Sequence, residues 1–350
     1  MCKIKRSYDN LMNFSGLSVH RNAIYGFAAL WIVLFHYTDM GKAKAAAIPK
    51  LSFIWDTLQL GNIGVDIFLF LSGIGLYYSF VKDHRILRFY YKRLVRIIVP
   101  FVLLCVPYMT YLLIAGEFSA ADYLKQITTV NYWTGDTSRL NLWYVPAVLA
   151  LYLIYPLIFK FLFYKEKSAL ARCLILAAFS VAVTFGAYYF FRDFYHLYDK
   201  LLPRITVFIL GSYCGRPVKE KKSFSPWLLL AAIIVVLFSY PLYSKHIFSG
   251  VYYRYYGCLT GIMLVFLLAQ FFEIFSSIKV DRFFAFFGAF SLEIYLVHIE
   301  MRNWYMHSSY YGNHLHIDYA ILAVAALAVA YLGSLVEKPI VKLMLKPLSK

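Results

Sequence analysis

Apolar runs of near 20 residues recur along the whole chain, separated by short charged gaps. A helix needs about 20 predominantly apolar residues to cross the hydrocarbon core of a bilayer, so these runs read as membrane spans. None shows the long period-two alternation of an outer-membrane barrel. Setting apolar windows against charged gaps predicts ten helices, near 23–40, 61–81, 97–115, 141–163, 173–191, 202–215, 226–243, 257–276, 283–300 and 318–336. The sixth is short and carries Pro203 and Arg204 at its start. The first 22 residues are polar and basic, and the first apolar run is expected to stay as a helix. The expectation is an all-α, polytopic transmembrane bundle forming a single domain over 1–350.

Composition agrees with this pattern. Of 350 residues 61% are hydrophobic, 15% charged and 20% aromatic. Soluble domains have roughly 45–50% apolar and about 25% charged residues, so that class is excluded. A net charge of +17 would suggest nucleic acid in a soluble protein, but in a membrane protein the distribution matters more than the sum. With ten spans, 23 Lys and Arg lie in gaps on the side of both termini and 11 on the other. The positive-inside rule then puts both termini in the cytoplasm, with no nucleic-acid partner expected. The five cysteines are scattered without a C-x-x-C pair and read as small packing residues.

Polar side chains inside apolar runs carry the candidate chemistry, because each is costly there. His36 lies near the end of "AALWIVLFHYTDM". Asp66 sits several residues into "GNIGVDIFLFLSGIGLYYSF", where Gly61, Gly64, Gly73 and Gly75 would permit close helix approach and Ser72 offers a hydrogen bond. The ninth span, "FFGAFSLEIYLVHIE", holds Ser291, Glu293, Tyr295, His298 and Glu300. Positions 291, 295 and 298 share a helical face, and Glu293 points elsewhere. Arg85, Arg88, Lys92 and Arg96 are three to four residues apart and form one basic stripe on a helix. That stripe suits either lipid phosphates or a phosphorylated cofactor, and composition does not separate the two. His307, His314 and His316 crowd one outer loop, but with no companion motif no metal is expected. Glu337-Lys338-Pro339 reads as a helix stop. The outer segments "NYWTGDTSRLN" and "RNWYMHSSYYGNHLHID" offer aromatic and amide groups of the kind that hold sugars.

In this order, these segments resemble the acyltransferase 3 family of integral membrane acyltransferases. The strongest piece is Gly64-Val65-Asp66-Ile67-Phe68-Leu69-Phe70-Leu71-Ser72-Gly73, close to the family's GVDLFFVLSG. "AALWIVLFH", "FYYKRLVRIIVP", "LWYVPAVLALYLIYP", "RITVFILG" and "FSLEIYLVH" follow the family order over nearly the whole chain. The resemblance implies a ten-helix bundle of a bacterial cytoplasmic membrane. It would move an acyl group, usually acetyl from acetyl-CoA, to a hydroxyl of an extracytoplasmic or lipid-linked glycan. It makes His36 the family's catalytic histidine. One position departs: the family arginine eleven residues before that histidine is Tyr25 here, and a family acidic position falls on Asn22. Arg21, one turn before Tyr25, is the candidate replacement cation.

Acyl transfer from a thioester to a hydroxyl needs a base and donors for the developing oxyanion. The expected roles are His36 as base, Asp66 to orient it or the substrate hydroxyl, and Tyr295, Ser72 or His298 as oxyanion donors. Glu293 joins them as a further candidate. Arg88, Lys92, Arg93 and Arg96 would meet the coenzyme A phosphates from the cytoplasm, with Arg21 assisting. Two other readings stay open at this stage. One is a transporter or flippase of a lipid-linked saccharide, which needs no thioester donor. The other is a family member made inactive by Tyr25.

Overall fold

The computed structural model describes residues 12–40, 52–136, 142–164, 166–244, 247–308 and 315–348. The fold is all-α. Among the described residues the only extended pairing is an isolated antiparallel bridge between Asn13 and Ser223. The principal helices are α1 (Arg21–Met40), α2 (Gly64–Lys82), α3 (Ile86–Leu104), α4 (Val106–Ile114), α5 (Tyr144–Phe163) and α6 (Ala169–Phe190). They continue as α7 (Leu202–Lys219), α8 (Pro226–Ser244), α9 (Gly250–Ile274), α10 (Val280–Gly288), α11 (Ser291–Met306) and α12 (Leu315–Leu345). Shorter helices, Ser52–Gln59, Ala120–Ile127, Val130–Thr134 and Arg192–Tyr198, fill the connections.

Seven helical stretches among the described residues are long and apolar enough to cross a membrane: 56–82, 86–114, 144–163, 169–190, 226–243, 250–274 and 317–345. The broken pair α10 and α11 makes an eighth if it is one span. This is a multi-pass membrane protein. The sequence pattern also marked 23–40 and 202–215, which fall on α1 and α7. Those two are more polar: α1 carries Asn22, His36 and Asp39, and α7 carries Arg204, Arg216 and Lys219. Protein covers them instead. Ile24, Ala28 and Val33 of α1 and Arg204, Phe208 and Ser212 of α7 are all buried. A helix surrounded by other helices needs matching partners rather than an apolar surface.

Burial differs sharply among the long apolar helices. The most apolar stretch of 56–82 is 67% buried, that of 226–243 only 12%. Ile233, Ile234, Leu237 and Phe238 of α8 and Leu174, Ile175, Phe179 and Val183 of α6 are exposed. Apolar surface of that extent is what lipid tails cover. The break between α3 and α4 falls at Cys105, two residues before Pro107, which has no N–H for the carbonyl of Leu103. α12 instead runs through Pro339 to Leu345, so Glu337-Lys338-Pro339 does not stop it.

The chain forms two compact units. The first comprises 1–35, 48–84 and 155–289. Its centre is the crossing of α2 and α7, which glycine makes possible. A Cβ on Gly73 would lie 2.6 Å from the Phe208 carbonyl oxygen, and one on Gly211 would lie 2.1 Å from that of Phe70. Around this contact Ile67, Phe70, Leu71 and Ile74 pack with Ile24, Ala28, Val207, Phe266 and Phe272. The second unit comprises 36–47, 85–154 and 290–350. There α11 and α12 pack on α3, with Phe101, Cys105, Leu296, Val297, Ala326 and Ala330 buried.

Candidate functional site

Within the second unit, the end of α1 brings His36 against α11. The rings of His36 and His298 lie edge to face with centroids 5.2 Å apart. His298 is fully buried, and its Nδ1 is 2.7 Å from the Ile294 carbonyl one turn earlier. A carbonyl only accepts, so Nδ1 carries the proton and the neutral ring presents Nε2 as a lone pair. That Nε2 is buried with no hydrogen-bond partner among the described residues. Tyr295 stands beside His298 at 5.9 Å between centroids, and its hydroxyl oxygen accepts the Tyr144 backbone N–H at 3.2 Å. Its own O–H is left to donate. A tyrosine donor and two imidazoles in a row suit proton transfer beside a developing oxyanion.

Three further groups close in. Arg302 sits one turn beyond His298, and its charge acts on both His298 and Tyr37. Its Nε is buried without a partner among the described residues. Glu300 is buried near Cys105 of the α3–α4 break. Glu293 faces away, as its spacing predicts, toward Glu337 of α12.

Asp66 belongs to the first unit and has other partners. It is 2% exposed, and its Oδ1 lies 3.1 Å from Arg204 Nε and its Oδ2 3.3 Å from Arg204 Nη2. The Cys258 thiol donates to Oδ1 at 3.2 Å. Arg204 also donates to the backbone carbonyls of Lys200 and Asn62. Carboxylate and guanidinium therefore pair as opposite charges. Cys258, expected only to pack, has a carboxylate partner. Ser72 is half-buried in the middle of α2.

The profile of the acyltransferase 3 domain, an acyltransferase domain, matches residues 22–336. The chain belongs to the acyltransferase 3 family. No curated protein and no solved structure matched the chain. Membership in this family of membrane acyltransferases implies an acyl donor and an acceptor.

The family's arginine position, Tyr25, is filled by a ring stacked on Phe68 at 5.1 Å. Arg21 is exposed, and its guanidinium reaches over α2 near Gly75 and Tyr78. Along α1 it is fifteen residues before His36, roughly 22 Å at about 1.5 Å per residue. On α3, Arg85 and Arg96 are exposed and Arg88 and Lys92 half-buried. Arg93, outside that stripe, has its guanidinium over the rings of Phe89 and Tyr152 at 5.7 and 5.9 Å. No three His, Cys, Asp or Glu among the described residues are grouped to hold a metal. Of the loop histidines, His314 lies outside the described residues, and His307 Nδ1 is 2.8 Å from the Asn303 carbonyl.

Sequence reasoning missed Arg302 and the pairing of Asp66 with Arg204. The signal for the first was available: four residues after His298 is one helical turn on the same face. For the second, one acid and one arginine in two otherwise apolar helices already demanded partners.

Proposed function

We propose that the protein transfers a short acyl group, acetyl in the first instance, from a coenzyme A thioester to a hydroxyl of an extracytoplasmic or lipid-linked glycan. The membrane would be a bacterial cytoplasmic membrane, with both termini inside as the Lys and Arg distribution favours. The observation that carries this reading is the contact of His36, at the family's catalytic position, with the buried His298. His36 takes the proton of the acceptor hydroxyl as that oxygen attacks the thioester carbonyl. The Tyr295 O–H donates to the oxyanion, and Arg302 adds positive charge nearby. As the C–S bond breaks, the imidazolium returns its proton to the departing sulfur, leaving an ester and a free thiol. His298, its tautomer held by Ile294, accepts a hydrogen bond at Nε2 and orients the hydroxyl or His36.

The exposed and half-buried cations of α3, Arg88, Lys92 and Arg96, supply charge-assisted bonds for the donor's phosphates, with Arg85 just before the helix. Arg93 anchors α3 through its aromatic neighbours. Asp66 holds α2 to α7 and α9 through Arg204 and Cys258 and takes no part in proton transfer.

The test is acyl transfer by purified protein in nanodiscs, with labelled acetyl-CoA and a panel of lipid-linked and polymeric glycans. Label should reach a glycan with wild type and not with His36→Ala. No transfer to any acceptor, together with no coenzyme A binding, would overturn the proposal and leave translocation of a lipid-linked saccharide.

A further inference from the structure

Proton transfer as proposed uses Arg302 only as nearby charge and gives its N–H groups no partner. Arg302 lies in α11 four residues beyond His298, one turn of about 5.4 Å along a shared face. The residue is half-buried, as is His36, so both keep accessible surface. The Arg302 Nε is nevertheless buried, with no hydrogen-bond partner among the described residues. Tyr37 follows His36 on α1, is 3% exposed and stands within reach of the Arg302 charge. Its hydroxyl is also buried without a partner among the described residues. A ring stack on Tyr319 at 6.1 Å, itself edge-on to Tyr305 at 6.0 Å, fixes that hydroxyl in place.

A guanidinium only donates hydrogen bonds, and a tyrosine hydroxyl left open can donate as well. Buried donors without an acceptor are costly, so the pair is complete only when an acceptor arrives. The acids flanking Arg302 in sequence are turned to other groups. Glu300 is buried near Cys105, and Asp318 accepts the Tyr305 O–H at 2.7 Å. The undescribed segments 41–51, 137–141 and 309–314 hold no acid, and their charged residues are Lys42, Lys44, Lys50 and Arg139. The Lys and Arg count favours an extracytoplasmic position for these segments and for the end of α11. Any charge they add near Arg302 is therefore positive. A carboxylate or phosphate is the acceptor such a setting selects, because it only accepts and carries the opposite charge.

We propose that Arg302, with Tyr37 beside it, binds an anionic group of the acceptor and so selects an acidic glycan. The inference rests on the glycan-acceptor reading and narrows it from any glycan to a charged one. One helical turn between Arg302 and His298 is close to the width of a single sugar ring. The anionic group and the hydroxyl to be acylated therefore belong to the same sugar or to neighbours. Arg302 acts here on binding, a turn away from the proton that His36 takes.

The experiment uses full-length protein in nanodiscs and reads binding by saturation-transfer NMR, which needs no turnover. The probes are a hyaluronan tetrasaccharide, its neutral counterpart chitotetraose, glucose 6-phosphate and inorganic phosphate. The uronate-bearing tetrasaccharide should bind about tenfold or more tighter than chitotetraose. Arg302→Gln should remove that preference, Arg302→Lys should keep part of it, and Tyr37→Phe should lower it less than Arg302→Gln. Glucose 6-phosphate against the tetrasaccharide tells phosphate from carboxylate, and either supports the site if Arg302→Gln abolishes its binding. Inorganic phosphate binding as tightly as both would make this a free-anion site and overturn the proposal. In the transfer assay the quantity read is the ratio of kcat/KM for acidic and neutral acceptors, which a general loss of rate leaves unchanged. That ratio should fall about tenfold in Arg302→Gln. Thermal unfolding within a few degrees of wild type shows that each variant folds. Asp39, whose side chain lies outside the described residues, is the rival partner on α1. A rise in acidic preference in Asp39→Asn would show that it already holds Arg302, against the proposal. An Arg302-dependent preference for succinyl-CoA over acetyl-CoA would also count against it, by giving the cation to the acyl group. Equal binding of acidic and neutral sugars by wild type, or a preference surviving in Arg302→Gln, sinks it as well. Transfer without acidic preference leaves the acyltransferase standing and removes the anion site. Arg302-dependent acidic binding without transfer does the reverse.

Discussion

His298 and Asp66 are both titratable, both all but inaccessible to solvent, and both on helices inside an apolar bundle. Their surroundings differ in kind. Asp66 is met by a guanidinium and a thiol, and its arginine is tied down by two backbone carbonyls. His298 spends one nitrogen on its own helix and leaves the other open, beside a second imidazole and a tyrosine O–H. A closed network of this sort holds helices in place, because each charge satisfies the other. A network with unspent lone pairs and donors is arranged for something that arrives later. Burial by itself did not separate structure from chemistry. The partners did: Asp66 faces an opposite charge, His298 does not.

The sharpest way to break that contrast is to open the closed network. Asp66→Ala strands a buried guanidinium and is expected to cost about 3–5 kcal/mol of stability. Unfolding of the detergent-solubilised protein reads this directly. Replacing both partners with apolar residues, Asp66→Leu with Arg204→Met, should recover most of it. If stability returns and transfer does not, Asp66 has a chemical role that its partners conceal.

The open network should respond the other way. His298→Gln is expected to lower acyl transfer about 100-fold or more while leaving the unfolding temperature within a few degrees. A fall in stability with no specific loss of rate would make His298 a packing residue. Tyr295→Phe keeps the ring and removes the donor, and should cost about 10- to 100-fold in kcat with little change in KM. An equal loss in KM alone would assign the hydroxyl to binding. The smallest effect is expected at the surface. Glu220, held below the usual carboxylate range by Lys222 and Arg216, pairs with both at 2.7 Å. A lowered carboxylate stabilises at neutral pH and loses that contribution as acid protonates it. Since solvent screens the pair, Glu220→Gln should leave the unfolding temperature unchanged within error at neutral pH. A shift comparable to Asp66→Ala would erase the distinction between buried and exposed pairs.

Much of the site was legible because helical spacing is rigid. Ser291, Tyr295 and His298 on one face and Glu293 on another follow from 100° per residue, and α11 keeps that order. Arg93, expected to join the basic stripe in meeting phosphates, lies over Phe89 and Tyr152 instead. The role expected of Asp66 as an orienting group was not legible, since a carboxylate in an apolar run reads the same whether it faces a base, a substrate or an arginine. Arg204 was visible as a blemish in the sixth apolar run. Its meaning needed the crossing of α2 and α7, where Gly73 and Gly211 let the backbones meet.

The sequence alone determined the membrane-spanning all-α class and the family, and it marked the polar positions from which a site is proposed. It did so because apolar length and polar interruption are properties of one segment at a time. Only the tertiary structure decided which of those residues share a site. Pairing depends on contacts between helices far apart in sequence. It joined His36 to His298 and Tyr295, and gave Asp66 to Arg204.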